Sequence, residues 1–587
     1  MHFLSSRHTR QAFVGRRANF LSRISFILAS HGWILLTVTL FPLYSPAAEA
    51  NSVKAPMHHP GDWFHGQFTT PPEPNVPAAD TARLNGCVQN GQLRLTLPDL
   101  LVLAARNAIG VRLQRLETAD RDVQVEQSDA DFEPVWIQQV SQGHDRMPSG
   151  NYILGLGVSD NTETAYTSTL RKYFPTGTTL WADFSLGRTD SNTLFLLVNP
   201  DVTASWSLGF SQHLLKGAGK DVNRAATYIA RCQSEAAQHE LRRKLEQTLL
   251  EAEKLYWDIL AQQMDLEVKR TSYQLAIRTA EDVAHQVAEG NQPELNLYKV
   301  KAEVARREGE VATAETLLAN LKRSLLDFLG TDESSLALHA TDMQLLASDP
   351  QVTEDPEELE AGINRALAER PEIGAAKAGL AAEEVKLRAC RNLLKPTLDL
   401  TASYTQYGLK GDVTDMSEIP FPIPPDFEAG IREEFEGGTW GAIGQSFDGK
   451  YNGYKVQVSL NIPLGNLDAR ANAARAAISV EEGKSTLAHV RQTVATQAET
   501  ARNNVIRDRA LIRSAQETLV QTEKDLEGEQ AKYDEGVVVI RDLLEAQRNM
   551  AAAQSEEVQS RYRFRKSMLD YYRSTGVYLD KKGIKVE

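Results

Sequence analysis

Two periodicities organise this chain. In "PTLDLTASY", Leu398, Leu400, Ala402 and Tyr404 alternate with Thr397, Asp399, Thr401 and Ser403. In "YKVQVSLNIPL", Tyr454, Val456, Val458, Leu460 and Ile462 alternate with Lys455, Gln457, Ser459 and Asn461. "VTASWSLGFSQ" sets Val202, Ala204, Trp206, Leu208 and Phe210 against small polar residues, and 134 to 142 reads as a further strand. Period two predicts strands with one apolar and one wet face. Strands of about ten residues suit a bilayer-spanning barrel, though half-buried strands of a soluble sandwich write the same pattern.

The second periodicity is helical. Val222 to Ala288 and Asp468 to Asp534 are nearly free of Pro and Gly, and about 65 residues at 1.5 Å each make a rod of roughly 100 Å. Leu245, Leu249, Ala252, Tyr256 and Ile259 follow heptad steps, beside a second stripe of Leu250, Trp257, Leu260 and Met264. Two apolar seams require neighbours on both sides, in a ring or in an antiparallel bundle. Ile512, Ala515, Leu519 and Leu526 continue the heptads in the second rod.

The chain also reads as two copies of one unit. Gly290 matches Gly536, Leu297 matches Leu543 and Gly330 matches Gly576 at one constant offset. "ARNAIGVRL" from Ala105 parallels "AERPEIGAAK" from Ala368, and "FEPVW" at 132 to 136 parallels "LKPTLDL" at 394 to 400. "LGFSQHLLKGAGKDVNRA" from Leu208 parallels "VSLNIPLGNLDARANAA" from Val458. Each unit reads as helix, strands, very long helix, Gly-marked tip and returning helix. The expected layout is a signal peptide over 1–50, a linker over 51–92, a first repeat over 93–330, a linker over 331–355, a second repeat over 356–578 and a tail over 579–587.

Composition narrows the classes. With 42% hydrophobic residues and a mean hydropathy of −0.37, no transmembrane helix is readable after residue 50. Arg7, Arg10, Arg16, Arg17 and Arg23 lead into "WILLTVTLFPLY" and "SPAAEA", the order of a secretory signal cleaved near Ala50. That segment holds five arginines and one acid, so its removal takes the formal charge from −14 to about −18. Such a charge argues against a nucleic-acid partner. Cys87, Cys232 and Cys390 are too scattered for a disulfide framework or zinc site, although export permits a Cys232–Cys390 bridge. No cysteine at the signal's end supports a lipid anchor. "MHHPGDWFH" reads as exposed linker in preference to a metal-binding tract.

No HExxH, G-x-S-x-G or CxxC is present. "LLKGAGKD" fails as a phosphate loop, because Leu214 stands at the first glycine position and Asp221 at the Ser/Thr position. No catalytic residue, cofactor or metal site is therefore expected. A passive conduit and a periplasmic structural coiled-coil protein without channel activity remain, and only the first explains the amphipathic strands and the signal.

These segments, with "LTLPDLLVLAARN", resemble the TolC-like outer-membrane efflux protein family over residues 93 to about 578. The resemblance implies an α+β membrane protein: a homotrimer in which each chain gives four strands to a shared twelve-stranded outer-membrane β-barrel, continued by a twelve-helix periplasmic tube. It implies docking to a periplasmic adaptor and an inner-membrane RND, ABC or MFS transporter, for small-molecule efflux or type I protein secretion. One departure is "TAYTSTLRKYFPTGTTLWADFSLG" from Thr164, a hairpin candidate expected to extend the extracellular side without adding membrane strands. "EIPFPIPPDFEAGIREEFEGG" reads as the other external loop.

In the family, the positions six and nine residues after the second-copy glycine line the periplasmic constriction, and Asp542 and Glu545 occupy them here. Acids in a first helical turn also suit the helix dipole. Asn296 and Lys299 fill the first-copy counterparts, and Val538 stands where some relatives place an arginine that ties the tip closed. Tyr533 is retained three residues before the glycine, and Arg541 or Lys299 is available to link to the acids. Adaptor contact is expected at the tips around Gly290 and Gly536, where the chain reverses and a positive φ suits glycine.

Overall fold

A computed structural model describes residues 92–148, 157–193, 196–329, 342–345, 355–415 and 424–584, with isolated positions between 68 and 89 and Gly150. The signal segment, most of the 51–92 linker, Gly330, parts of the 331–355 linker and the last three residues lie outside the described residues. Everything below concerns Pro74–Glu587, one of the two units into which the chain divides.

Strand β1 (Gln92–Leu95) leads into α1 (Leu97–Asn107) and α2 (Ile109–Asp129). Thr96 starts α1 by accepting the Asp99 amide on its hydroxyl at 3.3 Å, while Pro98 fills a first-turn position where its missing N–H costs nothing. Four strands follow: β2 (Val135–Pro148), β3 (Val158–Phe174), β4 (Thr178–Ser191) and β5 (Val198–His213). Then come the long helix α3 (Ala225–Ala288), α4 (Glu294–Phe328), the short β6 (Asp342–Leu345), α5 (Leu359–Glu369) and α6 (Pro371–Leu393). The chain closes with β7 (Thr397–Val413), α7 (Pro425–Phe435), α8 (Thr439–Phe447), β8 (Asn452–Asn461), α9 (Leu467–Asp534), α10 (Ile540–Ser574) and α11 (Tyr578–Lys582).

The two rods fall within three residues of the stretches read from sequence. α3 holds 64 residues and α9 holds 68. α3 packs on α2, α6, α4 and α10, so its two seams do meet different neighbours. Leu249, Ala252, Tyr256 and Ile259 are buried with Leu250, Trp257 and Leu260, whereas Met264 is half exposed. α4 and α10 return along α3 and α9 as helical hairpins.

The main sheet has six antiparallel strands in the order β2-β3-β4-β5-β7-β8, so the extra hairpin lies within the same sheet as the four strands expected of each chain. The hairpin at Thr164 supplies two of them, paired along their length from Asn161↔Ser191 to Phe174↔Thr178. Its turn lies at the helix-facing end of the sheet, not at the far end. Gly177 sits so close to the Gly217 carbonyl that a Cβ would be 2.5 Å from it, and Asn223 donates to both the Gly217 and Pro175 carbonyls. Register with β5 is what fixes this placement: the Trp181 ring lies over Gly209, where a Cβ would meet it at 2.4 Å. The pattern had revealed the hairpin, but only cross-strand pairing could say at which end it turns.

Three further differences concern connections. The acidic segment after β7 holds helices α7 and α8, with Pro425 in the first turn of α7. α8 packs so closely on β7 that Gly408 has no room for a Cβ, and Trp206 donates its indole N–H to the Ser446 carbonyl at 2.9 Å. The linker after α4 carries β6, which pairs in parallel with β1 and buries Met343 and Leu345 in the core. The expected tail begins inside that core, where Tyr578 and Leu579 are buried and Lys582 reaches Glu253 at 2.6 Å. Cys87, Cys232 and Cys390 are free thiols. Among the described residues no helix is long and apolar enough to cross a membrane.

Candidate functional site: helical tips and open edges

Both tips are built alike. At the first, the Gly290 amide donates to Val287 O at 3.0 Å and the Asn291 amide to Gln286 O at 2.8 Å; at the second, Gly536 donates to Tyr533 O and Val537 to Lys532 O at the same two distances. This crossed pair of bonds is the Schellman ending, which needs a left-handed residue. Gly290 has φ +81° and Gly536 φ +76°, and nothing crowds either Cβ position, so the backbone angle alone selects glycine. Beneath the tips Val283, Val300, Ile540, Leu543 and Leu544 form a small buried cluster.

Tyr533 joins the two tips. Its hydroxyl donates to Gln286 Oε1 and accepts from Gln292 Nε2, each at 3.2 Å. Burial pushes the phenol's pKa up, so it stays a neutral donor. Asn296 donates to Gln292 Oε1 at 2.8 Å, which extends the same network. Asp542 lies in the first turn of α10 and takes Arg541 as its partner, Nη2 to Oδ1 at 2.9 Å. Of the two cations read as replacement links, Arg541 therefore makes the contact, from the adjacent residue and with an exposed side chain. Glu545, one turn on, is exposed, as is Lys299 on α4.

A stronger link went unread in the sequence. Glu303 of α4 is buried, and its carboxylate accepts Arg548 Nε from α10 at 3.0 Å and Arg307 Nε at 3.0 Å, with Arg306 as a third cation. Burial alone would push the Glu303 pKa up, but hydrogen bonds and charge from Arg548 and Arg306 outweigh it and hold the group below its ordinary value. The only signal was the "EVARREGE" run, whose i,i+3 and i,i+4 spacings read as an ordinary solvated helix face. Nothing in that run points to a partner 245 residues away.

The glycines of "LLKGAGKD" serve a joint. Gly217 and Gly219 take φ +80° and +99°, and the Gly217 amide donates to Asn392 Oδ1 at 2.8 Å. They turn the chain from β5 into α3.

Away from the tips, sheet and helices share two open sides. β2 and β8 are the terminal strands of the sheet, and each pairs on one side only. Apolar side chains are left exposed on both: Val135, Trp136 and Val140 on β2, and Tyr454, Val456 and Val458 on β8. Packing contacts order the adjoining helices α2-α3-α6-α9. α2 runs into β2 and β8 runs into α9, so the outer helices adjoin the same two edges. They too carry exposed aliphatics, Ile109, Leu113 and Val123 on α2 and Ile478 and Ile506 on α9.

Residues 362–577 match the family described as outer membrane efflux protein. Over these residues the chain is similar to outer membrane efflux proteins. Solved structures share the fold. A membrane protein from Pseudomonas aeruginosa is 17% identical with a TM-score of 0.57, covering 86% of this chain and 99% of its own. The CmeC outer membrane channel of Campylobacter jejuni is 14% identical with a TM-score of 0.56, covering 82% and 86%. The outer membrane protein VceC of Vibrio cholerae is 14% identical with a TM-score of 0.56, covering 82% and 96%. No curated protein matches the chain by sequence.

Proposed function

We propose that this protein is an outer-membrane efflux channel of the TolC-like kind and not an enzyme, working as a homotrimer, a passive exit duct docked through its helical tips to a periplasmic adaptor and, beyond it, an inner-membrane transporter. The observation that carries the reading is the pair of unlike open sides. The β2/α2 side and the β8/α9 side differ in residues and direction, so contact between them is heterologous and repeats around an axis until a ring closes. In lipid, unpaired strand edges are too costly to leave open, which makes closure obligatory. The repeat reading fits this arrangement, since both halves end their long helix in the same glycine turn.

At the tips, Asp542 and Glu545 from three copies gather six carboxylates near the axis and make a cation-favouring constriction. Tyr533 and Asn296 brace each copy's two tips, with Arg541 holding Asp542 and Lys299 lying on the first-repeat side. Gly290 and Gly536 set the reversals that an adaptor grips.

Sedimentation in detergent tests the assembly, with a mass of three chains expected. A folded species of one or two chains overturns it. Crosslinking from positions beside Gly290 and Gly536 in cells tests docking, and labels that never reach an adaptor refute that part.

A further inference from the structure

We infer that the outer-membrane barrel of this protein has eighteen strands, six from each copy, and that the β3–β4 hairpin is membrane wall. The inference rests on the trimer proposed above. Its independent support is a single row of paired residues. Trp136, Leu170, Ala182, Leu208, Tyr404 and Tyr454 are register partners from β2 across to β8, and every one is apolar. The next row on the opposite face reads Ile137, Thr169, Asp183, Ser207, Thr405 and Gly453, small or polar except at the first edge. Partners in one row of a sheet lie side by side, so β3 and β4 carry the lipid-type and water-type faces at the same position along the strands as their neighbours. A hairpin standing in water outside the membrane has no need of Leu170, Ala182 and Phe184 on one face, nor of their alignment with Leu208 and Tyr404.

Circumference gives the second argument. Strands about 4.8 Å apart and tilted roughly 40° occupy about 6.3 Å each around a barrel, so eighteen need about 113 Å and twelve only about 75 Å. Twelve packed helices at interaxial distances of 8–10 Å need roughly 96–120 Å. Each copy supplies four helices to the tube next to the sheet, α2, α3, α6 and α9, and each is continuous with one strand: β2, β5, β7 and β8. β3 and β4 have no helix beneath them. Their two strand widths let the sheet match the helical ring without the narrowing that four strands per copy impose. Side chains do not fill a barrel of this size, and it carries a water-filled lumen. The restriction on cargo size then falls to the helical tips, and the mouth passes whatever the tips admit.

The test places a nitroxide at Ala182→Cys, Asp183→Cys and Tyr404→Cys in a background with Cys87, Cys232 and Cys390 replaced by Ser, in the full-length trimer in lipid nanodiscs. The expected result is oxygen accessibility at Ala182 matching Tyr404, with Asp183 open to a water-soluble relaxation agent. Lipid contact at Tyr404 with water contact at Ala182 keeps the channel reading and overturns the eighteen-strand barrel. Water contact at both positions removes the membrane wall altogether. If labelling disturbs assembly, a cryo-electron microscopy map of the unmodified trimer decides by counting wall strands, eighteen in support and twelve against.

Discussion

Arg548 Nε lies 3.0 Å from the buried Oε2 of Glu303, joining the two returning helices α4 and α10 across 245 residues of sequence. The carboxylate is enclosed while the guanidinium remains half in solvent. Replacing Arg548 by Ala therefore strands an acid with fewer cations, and the expected loss is about 1–2 kcal/mol, reduced from a fully buried pair by solvent screening. The Glu303 pKa is held below its ordinary 4.5, so the stabilisation is complete above that pH and is lost as pH falls through the folded-state value. Urea unfolding of wild type and Arg548→Ala checks this: their stabilities should converge at strongly acidic pH. A gap that persists there refutes the assignment.

Glu246 predicts the opposite sign. Burial in α3, partly offset by Arg242, raises its pKa from 4.5 to about 7. The folded state holds the proton more tightly, so this group's contribution is full below about pH 4.5 and lost as pH rises through about 7. Glu246→Gln should raise stability at pH 8 by about 1–2 kcal/mol and flatten the slope between those values. Thermal unfolding across that window measures it, and a variant less stable than wild type at pH 8 contradicts the sign.

Asp542→Ala combined with Glu545→Ala should weaken cation preference and raise single-channel conductance in planar bilayers, because the proposed constriction loses its charge. If the variant still forms trimers and both properties stay unchanged, the two acids return to stabilising the start of α10 through the helix dipole.

Gly290→Ala and Gly536→Ala should each cost about 1–2 kcal/mol in tip stability, since both backbones sit at φ near +80° where a Cβ is strained. Hydrogen exchange should rise at Asn291 and Val537, whose amides close the turns. Unchanged protection there argues that the turn tolerates a side chain.

Gly209→Val should displace the Trp181 ring and loosen β4 from β5, because a Cβ at Gly209 meets that ring at 2.4 Å. Trimers of the variant should dissociate at a lower temperature in gel migration. Restoring space with Trp181→Ala should recover part of the loss.

Local chemistry was enough to specify several features of this protein. Strand faces follow from period two, which records one wet and one apolar side whatever the neighbours are. Long rods follow from the absence of Pro and Gly between Val222 and Ala288 and between Asp468 and Asp534. Reversals at Gly290 and Gly536 follow from a backbone angle that few other residues accept. Tertiary structure decided what depends on pairing at a distance. It set the hairpin's turn at the helix end through Gly177, Gly217 and Asn223, and it folded the acidic loop into helices against Gly408. It also drew Leu579, the start of the expected tail, into the core beside Tyr578. Glu303 and Arg548 show the reason most plainly: each looks like an exposed charge on its own helix, and only the packing of α4 beside α10 buries one and aims the other at it.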